Sequence, residues 1–247
     1  MGYSAGELLL QSDRMMARIH ISGSASASLR TNLSIHHIIA AALFTGDCER
    51  LEVGHTWPPP DDVFFRHSAV SAGAIISAVC ALEANLNELH LDAEDGNAQR
   101  LGLLHAHAAT VVRLWDTVER QSLLRKYEWF LTIARAPALE RGDSVYRSAA
   151  DLIALRDALV HYQPEWSHTP ARNERLEKRL GGKFPLNPMA ASGQFFIPYR
   201  CLGSGCARWA LTSAFNFATA LSVQLKAETA WLAQTDRINA ALCTPAV

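Results

Sequence analysis

The stretch "AVSAGAIISAVCALEANLNEL", residues 69–89, decides the fold class. Its apolar residues return at three- and four-residue intervals and no proline interrupts them, which predicts one long helix. The helix follows "PPPDD" at 58–62, where Asp61 or Asp62 is expected to cap the first turn, and it runs to about Leu91. One helix face is predicted to point inward and to carry a carboxylate and an amide in its apolar stripe: Ala72, Ile76, Val79, Cys80, Glu83, Leu86 and Asn87.

Helical patterns continue along the rest of the chain. A stretch at 98–135 is expected to break near "ERQSLL", and a third helix runs from an Asp143 or Ser144 cap to a stop at Pro164. A short charged helix in "ARNERLEKRLGGK" (171–183) closes at its two glycines, and the last helix begins near Ser204. The pattern contains no alternating strands, internal repeat or glycine-rich phosphate loop. The sequence therefore predicts an all-α antiparallel bundle of four to six helices.

The first 60 residues differ from the rest in composition. "SGSASASLRTNLS" at 22–34 is small and polar, and three consecutive prolines at 58–60 break any helix. These features predict a partly irregular N-terminal extension over 1–60, with a short helix at 34–44. The bundle is expected over 61–247, with an insertion at 167–200.

Composition limits the functional classes. The 247 residues carry 23 Lys+Arg and 24 Asp+Glu, so no global positive field attracts nucleic acid or an anionic membrane. "IIAAALF" at 38–44 is too short to cross a bilayer, so a soluble, cytoplasmic protein without membrane contact is expected.

The five cysteines are odd in number and form no C-x-x-C pair, as expected of reduced thiols. The neighbours Cys201 and Cys206 are close enough in sequence to suggest a metal or redox pair. However, no histidine accompanies them at ligand spacing. The expectation is therefore neither a metal nor a cofactor.

The third helix ends in "LRDALVHYQPEW", residues 155–166, which contains Arg156, Asp157 and His161. Asp157 and His161 are four residues apart and share a helix face, so the carboxylate is expected to accept a hydrogen bond from the imidazole. Arg156 points about 100° away on the helical wheel. Aiming it at the same point as His161 requires either an unwound helix end or a second copy of the chain.

The Arg-x4-His spacing is not specific by itself. Arg50 and His55 have it, as do Arg100 and His105, and neither pair offers its histidine a partner. A purely structural interpretation also exists, in which the three polar groups are a hydrogen-bonded helix end with His161 near the negative pole of the dipole.

"LRDALVHYQPEW" resembles the arginine-polar-x-x-x-histidine signature of the HEPN superfamily, helical-bundle proteins of prokaryotic toxin and defence systems. Residues 69–89 look like that family's first long helix, and "GCARWALTSAFNFATALSVQL" (205–225) is similar to its closing helix. The resemblance covers roughly residues 63–232. It implies a homodimer whose composite site cuts RNA without a metal, with Arg156 and His161 as the motif pair and Asp157 as the polar second position.

The implied chemistry suits these side chains. Imidazole can move protons while a ribose 2′-hydroxyl attacks its own phosphate, and arginine stabilises the charge that develops on the phosphorus oxygens. Weaker candidates surround the motif. Each of them can also be explained without a function, as a packing residue or as part of a charged surface exposed to solvent. They are Tyr162, Arg172, Arg175, Lys178 and Arg179 for RNA contacts, and Glu83 and Asn87 behind the site.

Two functions of different classes follow from the sequence. The first is a metal-independent HEPN-type endoribonuclease, the toxic half of a toxin-antitoxin or phage-defence pair with a cognate antitoxin or regulatory partner. The second is a non-catalytic HEPN-like dimer that serves as a binding module. The intact Arg, Asp and His favour the first function, and the near-neutral charge favours the second.

Overall fold

The computed structural model describes residues 8–12, 15–21, 27–166, 168–228 and 231–243. A three-stranded antiparallel sheet comes first, with β1 (Leu8–Ser12), β2 (Met15–Ile21) and β3 (Ala27–Thr31) in that order. Nine α-helices follow within the described residues: α1 (Ser34–Glu52), α2 (Asp61–Glu94), α3 (Ala98–Leu101), α4 (Ala108–Val118), α5 (Leu123–Ile133), α6 (Ser144–Val160), α7 (Ala171–Leu180), α8 (Ser204–Leu225) and α9 (Thr235–Cys243).

The predicted all-α helical bundle is confirmed. The long helix α2 packs against α1, α4, α6 and α8, and these helices share one apolar core. Fully buried side chains from several elements meet there, and they set the position of every surface feature described below: Ile75, Leu82, Leu86, Phe130, Leu152 and Phe217.

The predicted helix limits agree closely with the structure. α2 begins at Asp61, as a first-turn residue rather than the cap, because Pro60 occupies the cap position. The break near "ERQSLL" separates α4 from α5, and a 3-10 segment (Gly102–His107) joins α3 to α4. α6 follows Asp143, which makes no side-chain cap bond, and α8 begins at Ser204.

Residues 34–52 correct the predicted division of the chain at residue 60. The helix expected at 34–44 extends to Glu52, and it packs against α2, α8 and α9. Ile38, Ala41 and Ala42 are completely buried within the main core. α1 therefore belongs to the bundle rather than to a separate extension, because its apolar face supplies part of the interior.

The N-terminal sheet was not predicted. In β2, residues 15–21 read "MMARIHI", where Ala17, Ile19 and Ile21 alternate with more polar residues over a very short run. β2 pairs with β1 through Leu8–Ser12 and with β3 through Ala27–Thr31. An alternation of apolar and polar residues over so few positions is weak evidence for a strand. The small, polar composition of the region therefore led to the prediction of irregular structure.

The segment at 167–200 is integrated into the bundle where the structure describes it. Its helix α7 packs beside α6, and the chain then runs irregularly to a π-helical turn at Phe196–Arg200. Phe184, Phe196 and Ile197 join the main core. The segment thus covers one side of α6.

The inward face of α2 differs from the predicted one. Val79 and Leu86 are buried as expected, but Asn87 is exposed and Glu83 is partly exposed. The buried polar residues of α2 are instead His67 and Ser71 near its start and Asn85, Glu88 and Asp92 near its end. Because α2 is rich in alanine on several sides, its sequence pattern did not fix the buried stripe to one residue position.

A buried ionic cluster joins the start of α1 to the end of α2. Glu88 accepts hydrogen bonds from the backbone N–H of Ser34 at 2.8 Å and from its hydroxyl at 2.7 Å. Asp92 accepts one from Arg30 Nη1 at 3.0 Å and one from Arg100 Nε at 2.9 Å. Since buried charges are costly unless they are paired, this cluster fixes residues 30–34 against the bundle.

A second ionic cluster joins α5 to α6 at the surface. Arg141 and Arg125 donate hydrogen bonds to the carboxylate of Glu128, as does the Tyr146 hydroxyl. Burial raises the pKa of Glu128, but these hydrogen bonds outweigh that effect and lower the pKa to about 2. The carboxylate is thus held in its charged form.

Among the described helices, α2 is the one long and apolar enough to cross a membrane. Half of its most apolar stretch is buried inside the bundle.

Candidate functional site

The end of α6 presents the motif histidine to solvent. The helix ends at Val160, and His161 is its C-cap residue with φ −107° and ψ 40°. The backbone N–H of His161 donates to the carbonyl of Asp157 at 2.9 Å. Its side chain lies exposed where the chain leaves the helix toward Pro164, so it is available to a ligand.

Arg156 is held away from His161. Its Nη2 donates to Glu83 Oε1 at 2.8 Å, and its Nε lies 3.0 Å from Asp157 Oδ1. The expected hydrogen bond between the Asp157 carboxylate and the His161 imidazole is therefore corrected: among the described contacts, Asp157 pairs with Arg156 instead. Glu83 does lie behind the motif, as predicted, whereas the exposed Asn87 makes no described contact with it.

His161 and Tyr162 lie on the wall of a cavity of about 260 Å³ between the end of α6 and α7. α7 contributes Arg172, Arg175 and Arg179 to the same cavity. Five of the residues singled out in the sequence thus meet at one place. Lys178, on the same helix, is exposed and does not line it. The remaining wall is formed by Ala158, Gln163, Glu165, Asn173, Leu176 and Ile197.

Glu165 and Asn173 hold the cavity in shape. The Glu165 carboxylate accepts the backbone N–H groups of Arg172 at 2.7 Å and Asn173 at 3.0 Å, so it caps α7. Asn173 is buried and accepts the N–H of Ile197 at 2.7 Å, which ties α7 to the π-helical turn. Partial desolvation raises the pKa of Glu165, but the hydrogen bonds from Asn173 and Arg172 outweigh it and lower the pKa. Sequence reasoning missed both residues, because a cap seven residues away gives no periodic signal.

The cavity is cationic overall. Arg179 is fixed by Asp151 at 2.6 Å and by the carbonyl of Ala150 at 3.0 Å. Arg175 makes no ion pair within the described structure, and Arg172 faces Glu165. One arginine is therefore rigid, one is free to bind an anion, and one is partly neutralised. Such a set suits a phosphate-bearing ligand.

The described cysteines Cys48, Cys80, Cys201 and Cys206 are free thiols, as expected. Burial raises the pKa of Cys201 and of Cys206, so both are inert rather than nucleophilic. Away from the cavity, the structure brings Cys48 close to Glu52 and His67. Sequence reasoning missed this group. The sequence shows that Cys48 and Glu52 are four residues apart, but only the packing of α1 against α2 shows that His67 lies beside them.

No protein-family model, curated protein or solved structure matches this chain. The chemistry of the cavity therefore has to be argued from its own residues.

Proposed function

We propose that the chain is a metal-independent endoribonuclease of the HEPN type that acts as a homodimer. The observation that carries the proposal is the meeting of His161, Tyr162 and three arginines of α7 on one cavity. An exposed imidazole beside guanidinium groups suits cleavage of a phosphodiester by its own 2′-hydroxyl.

In the proposed reaction, the RNA backbone lies in the cavity with its phosphate against Arg175 and Arg179. His161 accepts the proton of the ribose 2′-hydroxyl as this oxygen attacks the phosphorus, and it returns that proton to the 5′-oxygen as the phosphorus–O5′ bond breaks. The arginines stabilise the charge that develops on the phosphorus oxygens. The products are a 2′,3′-cyclic phosphate and a free 5′-hydroxyl, and the chemistry needs no metal ligand.

A second copy of the chain supplies the motif arginine. Within one chain Arg156 lies on the α2 side of α6, bound to Glu83. Beside His161, large apolar side chains are left in solvent: Val160 is 51% exposed, Tyr162 44% and Trp166 76%. A two-fold contact across this face covers them and brings the Arg156 of one chain toward the His161 of the other.

The biological setting follows from the resemblance alone. A ribonuclease of this class would act in the cytoplasm as the toxic part of a toxin-antitoxin or phage-defence pair, and a cognate antitoxin or regulatory protein would restrain it.

The test measures cleavage of labelled single-stranded and hairpin RNAs. His161→Ala is expected to lower the rate at least about 100-fold and to change unfolding free energy by less than about 0.5 kcal/mol, because its side chain is exposed. His105→Ala is the control, since His105 is also exposed and also follows an arginine by five residues. Equal activity in His161→Ala and wild type would refute the proposal.

A second pair of variants tests the cavity. Arg175→Ala is expected to weaken RNA binding and to reduce the slope of log affinity against log salt by about 0.7, the value for one lost contact to single-stranded RNA. Lys178→Ala is the matched control, because it removes the same charge from the same helix outside the cavity. Equal slopes for the two variants would place the RNA elsewhere.

Mixing inactive variants tests the composite site. Arg156→Ala and His161→Ala should each be inactive, and an equimolar mixture should regain about a quarter of wild-type activity, because half of the dimers then hold one intact site of two. If both motif residues act within one chain, mixing restores nothing.

The non-catalytic binding module is the second candidate. The observation that favours it is that Glu165 already occupies the N-terminus of α7, where a phosphate would otherwise bind, and that Arg156 is engaged by Glu83. This function predicts that wild-type protein binds a ligand in the cavity, that Arg175→Ala weakens that binding, and that no purified form cuts RNA.

A further inference from the structure

We propose that Cys48, Glu52 and His67 form a zinc-binding site in the core of the bundle. The ligand atoms are Cys48 Sγ, Glu52 Oε1 and His67 Nε2, which lie within 4.8 Å of one another. The site is separate from the cavity at the end of α6, and the proposal does not depend on the proposed function.

Two of the three ligand separations are close to those around a zinc ion, and the third, from the Cys48 sulfur to the imidazole, is no more than 4.8 Å. Sγ lies 3.7 Å from Oε1, and Nε2 lies 2.9 Å from the same oxygen. Zinc binds sulfur at about 2.3 Å and nitrogen or oxygen at about 2.0–2.1 Å in tetrahedral geometry, so its ligand atoms are about 3.3–3.7 Å apart. The sulfur is already at that separation from Oε1, and the imidazole has to move back by a few tenths of an ångström.

The ligands come from rigid elements. Cys48 and Glu52 are one turn apart on α1 and so share a face, and His67 is in the second turn of α2. The two helices pack closely along their length. A site on neighbouring helices holds its geometry better than one on loops.

The environment also suits a bound ion. Cys48 is completely buried, His67 is 1% exposed, and the Glu52 side chain is 12% exposed. An imidazole, a thiol and a carboxylate in the interior are costly unless they satisfy one another or hold a metal. The buried Ser71 hydroxyl adds a fourth polar group beside the Cys48 sulfur, and it has no nitrogen or oxygen partner among the described residues.

A capping role accounts for only part of this cluster. Glu52 accepts the backbone N–H of Ser204 at 2.6 Å and its hydroxyl, so it caps α8. That role explains the carboxylate, and the Cys48 thiol in turn donates a long hydrogen bond to it at 3.7 Å, but capping α8 does not by itself require a buried thiol and imidazole at this point. A zinc ion uses the thiol directly as a thiolate, and the Ser71 hydroxyl can then donate to that sulfur.

Binding would release the thiol proton, while His67 would coordinate through Nε2 as the neutral imidazole. Three protein ligands leave one tetrahedral position open. Because Glu52 also holds the first turn of α8, the ion would join α1, α2 and α8.

The first experiment measures metal content of the purified full chain by plasma mass spectrometry. Wild type is expected to contain about one zinc ion per chain, and Cys48→Ser and His67→Gln are expected to lose at least nine tenths of it. Cys80→Ser is the control, since Cys80 is a half-buried thiol on the adjacent helix outside the cluster. Equal zinc in Cys48→Ser and wild type would overturn the proposal.

A second measurement remains decisive if the variants do not fold. Wild-type protein is unfolded in urea with a chelator and refolded without metal, and Co²⁺ is then added. The expected result is a near-ultraviolet sulfur-to-cobalt charge-transfer band, together with a higher melting temperature than that of the metal-free protein. If neither the band nor the shift appears, the cluster binds no metal.

Discussion

Replacement of Ile38 by alanine tests whether α1 belongs to the cooperative core. Ile38 is completely buried in the main core, and the residues three and four positions later on the same face of α1, Ala41 and Ala42, are small and have no exposed surface. Such side chains cannot move into the space left by three missing carbons. Because Ile→Ala in a core costs about 2–5 kcal/mol, and more where the site cannot collapse, we expect a loss of about 3–4 kcal/mol.

The matched control is Leu43→Ala. Leu43 lies on the same helix and is 42% exposed, so its truncation should cost less than about 1 kcal/mol. The assay is urea unfolding followed by far-ultraviolet circular dichroism. For a chain of this size a loss of 3–4 kcal/mol lowers the melting temperature by about 10 °C. The slope of free energy against urea should stay the same for all three proteins.

The result that refutes this reasoning is an Ile38→Ala protein as stable as Leu43→Ala. Residues 34–52 would then unfold independently of the bundle, and a boundary at residue 60 would stand. The structure predicts the reverse for a truncation as well. Removal of residues 1–60 deletes the buried face of α1 and the Glu52 cap of α8, so the remaining chain should not fold.

Five other substitutions, two of them controls, test the fold and the motif. Arg156→Ala should cost about 0.5–1 kcal/mol of unfolding free energy in chemical denaturation, because it removes the ion pair with the partly exposed Glu83, whereas His161→Ala should cost almost nothing. Gly102→Ala should cost at least about 3 kcal/mol in the same assay, because its Cβ would lie 2.2 Å from the carbonyl oxygen of Leu225. Gly96→Ala is the control: Gly96 also has a positive φ but lies in open space, so this change should cost about 1 kcal/mol. Glu128→Gln should cost about 1–2 kcal/mol at pH 7, a value discounted for its exposed arginine partners. A lowered folded-state pKa stabilises above the unfolded value of 4.5, so this difference should shrink as pH falls from 4.5 toward about 2, in unfolding measured across that range.

Periodicity predicted most of the helices, and its success has a physical reason. Where prolines and glycines bound a long apolar repeat, as at Pro60, Pro164 and Gly203, local chemistry alone sets the helix limits. α2, α6 and α8 are of this kind. The same local information misjudged α1, because its apolar run is short and follows a small polar stretch that resembles a linker.

The side-chain partners were less predictable than the helices. A helix places both Arg156 and His161 within reach of Asp157, and only the tertiary position of Glu83 decides that the arginine is drawn to the α2 side. The cavity at His161 likewise depends on Glu165 capping α7 from outside the helix. Both contacts join a helix residue to a residue outside that helix, so spacing rules within one helix cannot predict them.

The proposed ribonuclease needs no metal and the proposed zinc site holds one, so one preparation can test the two proposals separately. Cleavage at His161 uses only protein groups and the RNA's own hydroxyl, so a brief addition of EDTA should leave the rate unchanged. A zinc ion enclosed by Cys48, Glu52 and His67 exchanges slowly because the cluster is buried, so the same treatment should also leave the melting temperature unchanged. Unfolding in chelator and refolding removes the ion and should lower stability. The refolded, zinc-free protein is then assayed at a temperature below its lowered melting temperature. If it cuts RNA at the original rate, the zinc is structural and the ribonuclease chemistry is metal-free. A rate that returns only with added Zn²⁺, while the helical content is already complete, would place the metal in the reaction and contradict the proposed mechanism.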